Sequence, residues 1–229
     1  MSQPDARGPV GAKGVLFDMD GVLVATEDLK ARAHCETVRR HGGQLDPGYY
    51  SEVMGQSHEA AAIAFISASG ADLDPAGYAE AFRSVYGALL ESGVELMPGA
   101  RSVVVAAKER GYRLAVVSSS LRWMMDEVLA RTGLEGFFDA CVSADDVRKE
   151  KPSPEPYLRA LSELSLDGGD AVVVEDSETG VASGVAAGLP VIAVRHRYNA
   201  RHDMSRAFAE LDGLSDTTCV IDLIESALR

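Results

Sequence analysis

Residues 15–22 read Val-Leu-Phe-Asp-Met-Asp-Gly-Val, and no other stretch restricts the possible folds as much. Three apolar residues run straight into two aspartates one residue apart. A glycine follows, and the apolar run resumes over Val22, Leu23 and Val24. A short unbroken apolar run suits a strand buried on both faces, as in a parallel sheet. Open α/β sheets bind ligands beyond the carboxyl ends of their strands. Asp18 and Asp20 are therefore expected on the loop leaving the first strand, where Gly21 allows a sharp bend. Two carboxylates crowded there repel each other and lose hydration. A hard cation between them relieves both, and oxygen ligands suit Mg²⁺. An aspartate so placed can also act as a nucleophile that forms an aspartyl-phosphate. Two surface acids in a turn would look the same locally, so the rest of the chain must decide.

After residues 14–24 comes a helix over 26–41, with Thr26 as its N-cap. From 46 to 92 the periodicity is helical throughout and no strand is evident. Tyr78, Phe82, Val85, Tyr86 and Leu89 recur at helical spacing, as packing residues do. A βαβ crossover does not need so long a helical insertion. Beyond Pro98-Gly99, strands at 113–117, 140–143, 171–174 and 189–194 alternate with helices. That alternation predicts an α/β fold, a doubly wound, Rossmann-like parallel-sheet core. The expected division is a flexible tail over 1–12, a core of 13–25 and 97–229, and a helical cap domain over 26–96.

Polar clusters follow the apolar strands: Asp18 and Asp20, then Ser118 and Ser119, then Glu175 and Asp176. Lys151 follows the short strand at 140–143 by several residues. Alone, each reads as well as a turn, a helix start or a solvated loop. In a parallel sheet all four meet at one edge. Together they supply what phosphoryl transfer needs, which is mostly positioning and charge stabilisation. Asp18 would attack phosphorus, and Asp20 would serve as general acid and then base. Mg²⁺ would be held by Asp18, Asp20 and Asp176, with Glu175 as a ligand directly or through water. The Ser118 hydroxyl, the Ser119 backbone N–H and Lys151 would take the phosphoryl oxygens.

These motifs resemble those of the haloacid dehalogenase superfamily. Asp18-x-Asp20-Gly21 fits its first motif and Ser118 its second. Lys151 in Lys-Pro-Ser-Pro fits the third, and Glu175-Asp176-Ser177 followed by Gly180 fits the last. The last form is typical of the branch that holds β-phosphoglucomutase, phosphoglycolate phosphatase and sugar-phosphate phosphatases, whose helical cap is inserted after motif one. The resemblance implies a Mg²⁺-dependent phosphatase of a small phosphorylated metabolite, such as a sugar phosphate. A phosphomutase on the same core, or a catalytically weak binding or regulatory protein, is the alternative. Two departures weaken the mutase reading. Lys30 stands where the mutase has a cap histidine, and His58 where it has a cap arginine. Ala25 also replaces a common aspartate. Lys30, Gln56, His58 and Arg83 are the candidate cap contacts with substrate.

The formal charge of −13 argues against nucleic acid and anionic membrane surfaces as partners. The arginine- and histidine-rich segment 195–206 is the one dense basic cluster, either at the cleft mouth or solvated. Three scattered cysteines predict reduced thiols rather than a disulfide framework or zinc site. No signal-peptide pattern or membrane-length apolar run is evident. A cytoplasmic enzyme, monomeric or homodimeric, is expected.

Overall fold

The computed structural model describes residues 11–54 and 56–229. The expected tail lies outside them, apart from Gly11 and Ala12. Six strands form one sheet: β1 (Gly14–Phe17), β2 (Arg113–Val117), β3 (Ala140–Val142), β4 (Ala171–Glu175), β5 (Val191–Val194) and β6 (Ala209–Leu211). Their order is β3-β2-β1-β4-β5-β6, and every pairing is parallel. β1 lies centrally, with Phe17 opposite Val116 on β2 and Val174 on β4. The chain following these strands therefore issues side by side from one edge.

Side chains alternate across the sheet. Val15, Phe17, Val116 and Val174 pack with α5 (Ala100–Glu109), α6 (Arg122–Thr132) and α9 (Thr217–Ala227). Leu16, Ala115, Val117 and Val173 face α7 (Glu155–Leu164) and α8 (Glu178–Ala186). Helices on both faces make the sheet doubly wound, as the unbroken apolar strands require. β6 is not expected from the sequence. It has three residues, all at least partly exposed, too few for a period-2 pattern.

Between β1 and α5 lie α1 (Glu27–Arg40), α2 (Tyr50–Val53), α3 (His58–Ser69) and α4 (Pro75–Glu91). Tyr78, Phe82, Val85 and Tyr86 are buried among them, while Leu89 is only partly covered. The two crossings between this block and the sheet run antiparallel. Ala25 N–H donates to Glu95 O at 2.8 Å and Met97 N–H to Leu23 O at 2.9 Å. No helix among the described residues is long and apolar enough to cross a membrane.

Candidate active site

Asp18 directly follows β1, and its N–H donates to Val174 O of β4 at 2.8 Å. The sheet register thus extends one residue into the loop. Lys151 comes from the segment before α7, with its ammonium buried at the same edge. It donates to Asp18 Oδ1 at 2.6 Å, Glu175 Oε1 at 2.6 Å and Val117 O at 2.9 Å. One cation therefore ties together the ends of three adjacent strands. Glu175, 0% exposed, has both oxygens engaged. Oε1 also accepts from Tyr157 Oη, and Oε2 accepts from the N–H groups of Asp176 and Ser177 and from Ser177 Oγ. Instead of facing the cleft as a metal ligand, it anchors Lys151 and the turn that starts α8. Burial works against its ionised form, but Lys151 and the bonds from Ser177 and Tyr157 outweigh burial and hold the carboxyl below the usual range. Burial pushes Asp18 well above that range. Lys151 opposes the rise, while Glu175, Asp176 and Asp20 add to it.

Glycine 180 shows how tightly Glu175 is held. Its N–H donates to Ser177 Oγ, the N-cap of α8, and a Cβ there would overlap the Glu175 carboxylate. Gly180→Ala is expected to cost about 1–3 kcal/mol, as overpacked core positions do. Urea unfolding would measure it, and wild-type stability would show that Glu175 is free to move.

Asp20 carries a separate network. Thr26 Oγ1 donates to Oδ1, while Ser118 Oγ at 3.1 Å, Ser120 Oγ at 2.8 Å and Lys30 Nζ at 2.8 Å meet Oδ2. Thr26 precedes α1 as expected, but its hydroxyl makes no cap bond and turns to Asp20. Ser118, expected on phosphate, likewise donates to Asp20. Ser119 borders the cleft. Ser120 stands in the same serine run with no sequence signal of its own. Burial would raise the Asp20 carboxyl, but Lys30, Thr26 and Ser120 together lower it.

Asp176 Oδ2 lies 2.6 Å from His196 Nε2. Asn199, 0% exposed, holds the backbone on both sides by donating to Asp176 O and Val194 O at 2.8 Å each. Gly21, at φ +80°, passes so close that a Cβ would overlap the Asp176 carboxylate. The basic segment after β5 is thus partly functional in position. His196 reaches the site and Arg197 and Tyr198 bond Asp28 of α1, while Arg201 and Arg206 are exposed. Burial pushes Asp176 well above the usual carboxylate range, helped by Glu175 and Glu27.

A cavity of about 80 Å³ lies between these loops and the helical block. Of the cap positions named as candidate substrate contacts, Lys30, Gln56 and His58 border it. Arg83 does not; its guanidinium is 4.7 Å from the centre of the Trp123 ring on the outside. The helices also contribute Glu27, Tyr50 and His34. His34 is stacked 4.4 Å from Phe65 with Nδ1 2.5 Å from Tyr78 Oη. Its only sequence signal is its position one turn beyond Lys30.

Among the described residues, no three His, Cys, Asp or Glu side chains converge as a ready metal cluster. The charge and donor chemistry nevertheless fit a hard divalent cation. Asp18, Asp20, Glu27 and Asp176 line the cleft against Lys30 and Lys151 alone. Asp18 and Asp176 are raised partly by their neighbouring carboxylates, the repulsion a cation would relieve. Few protein donors are needed, because Mg²⁺ keeps waters and takes substrate oxygens. Asp20 presents its carboxylate to Lys30 and hydroxyls rather than to this pair.

A family model for haloacid dehalogenase-like hydrolases matches residues 15–194, from β1 through β5. The chain is 32% identical over 216 residues to protein CbbY of Rhodobacter capsulatus, spanning 89% of this chain and 94% of that one. It is 32% identical over 183 residues to the fructose-1-phosphate phosphatase YqaB of Escherichia coli K12, spanning 80% and 96%. The crystal structure of CbbY from Rhodobacter sphaeroides in complex with phosphate superposes with a TM-score of 0.81 at 29% identity, covering 90% of this chain and 96% of that one. Sequence motifs, sheet order and relatives agree, and the chain belongs to the haloacid dehalogenase-like hydrolases, as a hydrolase of their phosphatase kind.

Proposed function

We propose that this enzyme is a Mg²⁺-dependent phosphatase that releases inorganic phosphate from a small phosphorylated metabolite of the sugar-phosphate class. The observation that carries this reading is the meeting of Asp18, Asp20, Lys151 and Asp176 at one edge of a parallel sheet, beneath a cavity bounded by helices. Relatives named as phosphatases support it.

Asp18 is the nucleophile. Its carboxylate oxygen bonds to phosphorus as the ester oxygen leaves and takes a proton from Asp20. Water then gives a proton to Asp20 and attacks phosphorus, freeing phosphate and regenerating Asp18. A cation held by Asp18 and Asp176 would supply charge stabilisation for the phosphoryl oxygens. Lys151 adds a second positive charge beside Asp18. With the Ser118 hydroxyl committed to Asp20, Ser119 is the serine left for the phosphoryl oxygens. The block α1–α4 acts as a cap that excludes water from the first step.

Lys30 links the cap to Asp20. In the arrangement seen here Lys30 helps keep Asp20 ionised, the basic form needed for the second half.

Phosphate release across sugar phosphates, phosphoglycolate and nucleotides tests the reading. Release should need Mg²⁺, stop with EDTA and favour sugar phosphates. Release from none of them, or release indifferent to EDTA, overturns it.

A further inference from the structure

His196 has no part in the reaction just described, yet both of its ring nitrogens are engaged. It lies just beyond β5 with its side chain 11% exposed, and it is not among the described residues that border the cleft. Its Nε2 lies 2.6 Å from Asp176 Oδ2. Its Nδ1 accepts the Tyr198 N–H at 3.2 Å. A ring nitrogen that accepts carries no proton, so the ring is the neutral tautomer with its hydrogen on Nε2. The bond to Asp176 therefore runs from Nε2–H to Oδ2. Neither nitrogen is left to exchange a proton with substrate.

The surrounding chain is built around that bond. Asn199 Oδ1 accepts the His196 N–H at 3.0 Å, while Nδ2 donates to Asp176 O and Val194 O at 2.8 Å each. One buried amide thus fixes the backbones that present the imidazole and the carboxylate. On the other side of the turn, Arg197 and Tyr198 bond Asp28. Gly21 leaves the bond its room: a Cβ there would overlap Asp176 Oδ2 and sit 2.8 Å from His196 Nε2. The loops leaving β1, β4 and β5 therefore close on a single hydrogen bond. Fixing one carboxylate oxygen stops rotation of the group and gives the other oxygen one direction.

We propose, resting on the cation site of the phosphatase reading above, that His196 is the positioning residue for Asp176: its Nε2–H holds Oδ2 and leaves Oδ1 as the oxygen offered to Mg²⁺. Because the imidazole is neutral, it orients the carboxylate without competing with the ion for its charge. A lysine at this place would fix Asp176 as well but would repel the cation. Groups that orient metal-binding side chains in this way carry about 10- to 100-fold in metal affinity.

Calorimetric titration of the metal-free protein with Mg²⁺, with no substrate present, tests this. His196→Phe keeps a ring of similar size and removes the donor, and Mg²⁺ affinity should fall about tenfold or more. His196→Gln puts an amide N–H near the position of Nε2 and should restore affinity to within about threefold of wild type. In phosphate release by His196→Phe, the half-maximal Mg²⁺ concentration should rise by the same factor, and excess Mg²⁺ should recover rate that a damaged fold would not. Unchanged affinity in His196→Phe overturns the inference and leaves the phosphatase standing. Equal losses in His196→Phe and His196→Gln also overturn it, because packing of the ring and not its donor would then matter. A measurement on the wild type is independent of how the variants fold. The chain has five histidines. Among their imidazole NMR signals, the one missing from His196→Gln should be a neutral ring protonated on Nε2. A ring protonated on Nδ1 there overturns the inference. No Mg²⁺ binding by the wild type, with phosphate release indifferent to EDTA, would instead bring down the Mg²⁺-dependent phosphatase reading and this inference with it.

Discussion

Asp18→Asn is expected to cut phosphate release by about 10⁴-fold or more while leaving the protein folded. The amide matches the carboxylate in shape but lacks the charge and lone-pair character of the attacking oxygen. Its side-chain oxygen can still accept from Lys151, now 2.6 Å from Asp18 Oδ1. Burial and the neighbouring carboxylates raise Asp18, so ionising it in place is unfavourable. A neutral side chain removes that cost, and the melting temperature of the metal-free variant should equal or exceed the wild type. Single-turnover phosphate release and thermal unfolding measure the two effects. Turnover within tenfold of wild type would exclude Asp18 as nucleophile. Lost turnover with retained ligand binding separates an enzyme from a binding protein on this fold, since a binder has no use for the nucleophile.

Lys151→Met should have the second largest effect, on stability as well as rate. The Lys151 ammonium touches Asp18, Glu175 and Val117 O, and Glu175 is fully buried. Removing one partner of a buried ion pair leaves the others uncompensated, at about 3–5 kcal/mol. Losing a preorganised donor near developing charge costs about 10²–10³-fold in rate. The contribution of Glu175 to the pH dependence should change sign as well, against the opposite contribution that the raised Asp18 and Asp176 already make in the wild type. In the wild type Glu175 lies below its unfolded value. Its contribution is present above the unfolded carboxylate range and is lost as pH falls through the lowered folded value. In the variant burial prevails, Glu175 binds its proton more tightly folded than unfolded, and stability falls as pH rises through the carboxylate range. Urea unfolding of variant and wild type at acidic and neutral pH measures the loss and the difference in pH slope between them. Equal stability with an unchanged pH slope would mean that Lys151 does not compensate these carboxylates.

The two variants probe parts of the site that differ in how far the chain reveals them. Asp18 is announced by its own neighbours, an apolar strand before it and Asp20-Gly21 after it. Lys151 becomes meaningful only when β2, β1 and β4 are adjacent, because its three acceptors lie on or beside different strands. Glu175 shows the limit of local reading. An acidic pair at a strand end suggests two metal ligands, but the direction of the Glu175 side chain commits it to Lys151, Tyr157 and Ser177. Ser118 and Thr26 follow the same pattern. Each stands where the sequence places it, and each spends its hydroxyl on Asp20.

The sequence by itself determined the strand succession, the helical insertion after β1 and the four polar clusters at strand ends. Apolar runs, helical periods and turn glycines are properties of neighbouring residues, and chain order alone carries them. Only the tertiary structure decided which groups pair: Lys30 with Asp20, His196 with Asp176, Tyr157 with Glu175. It also decided that Arg83 stays outside, that β6 completes the sheet, and that Glu27 reaches the cleft. Those outcomes depend on side-chain direction and on segments up to more than a hundred residues apart being brought within 3 Å, as Lys151 is to Asp18. No local pattern encodes that distance, and the order of strands in the sheet sets it.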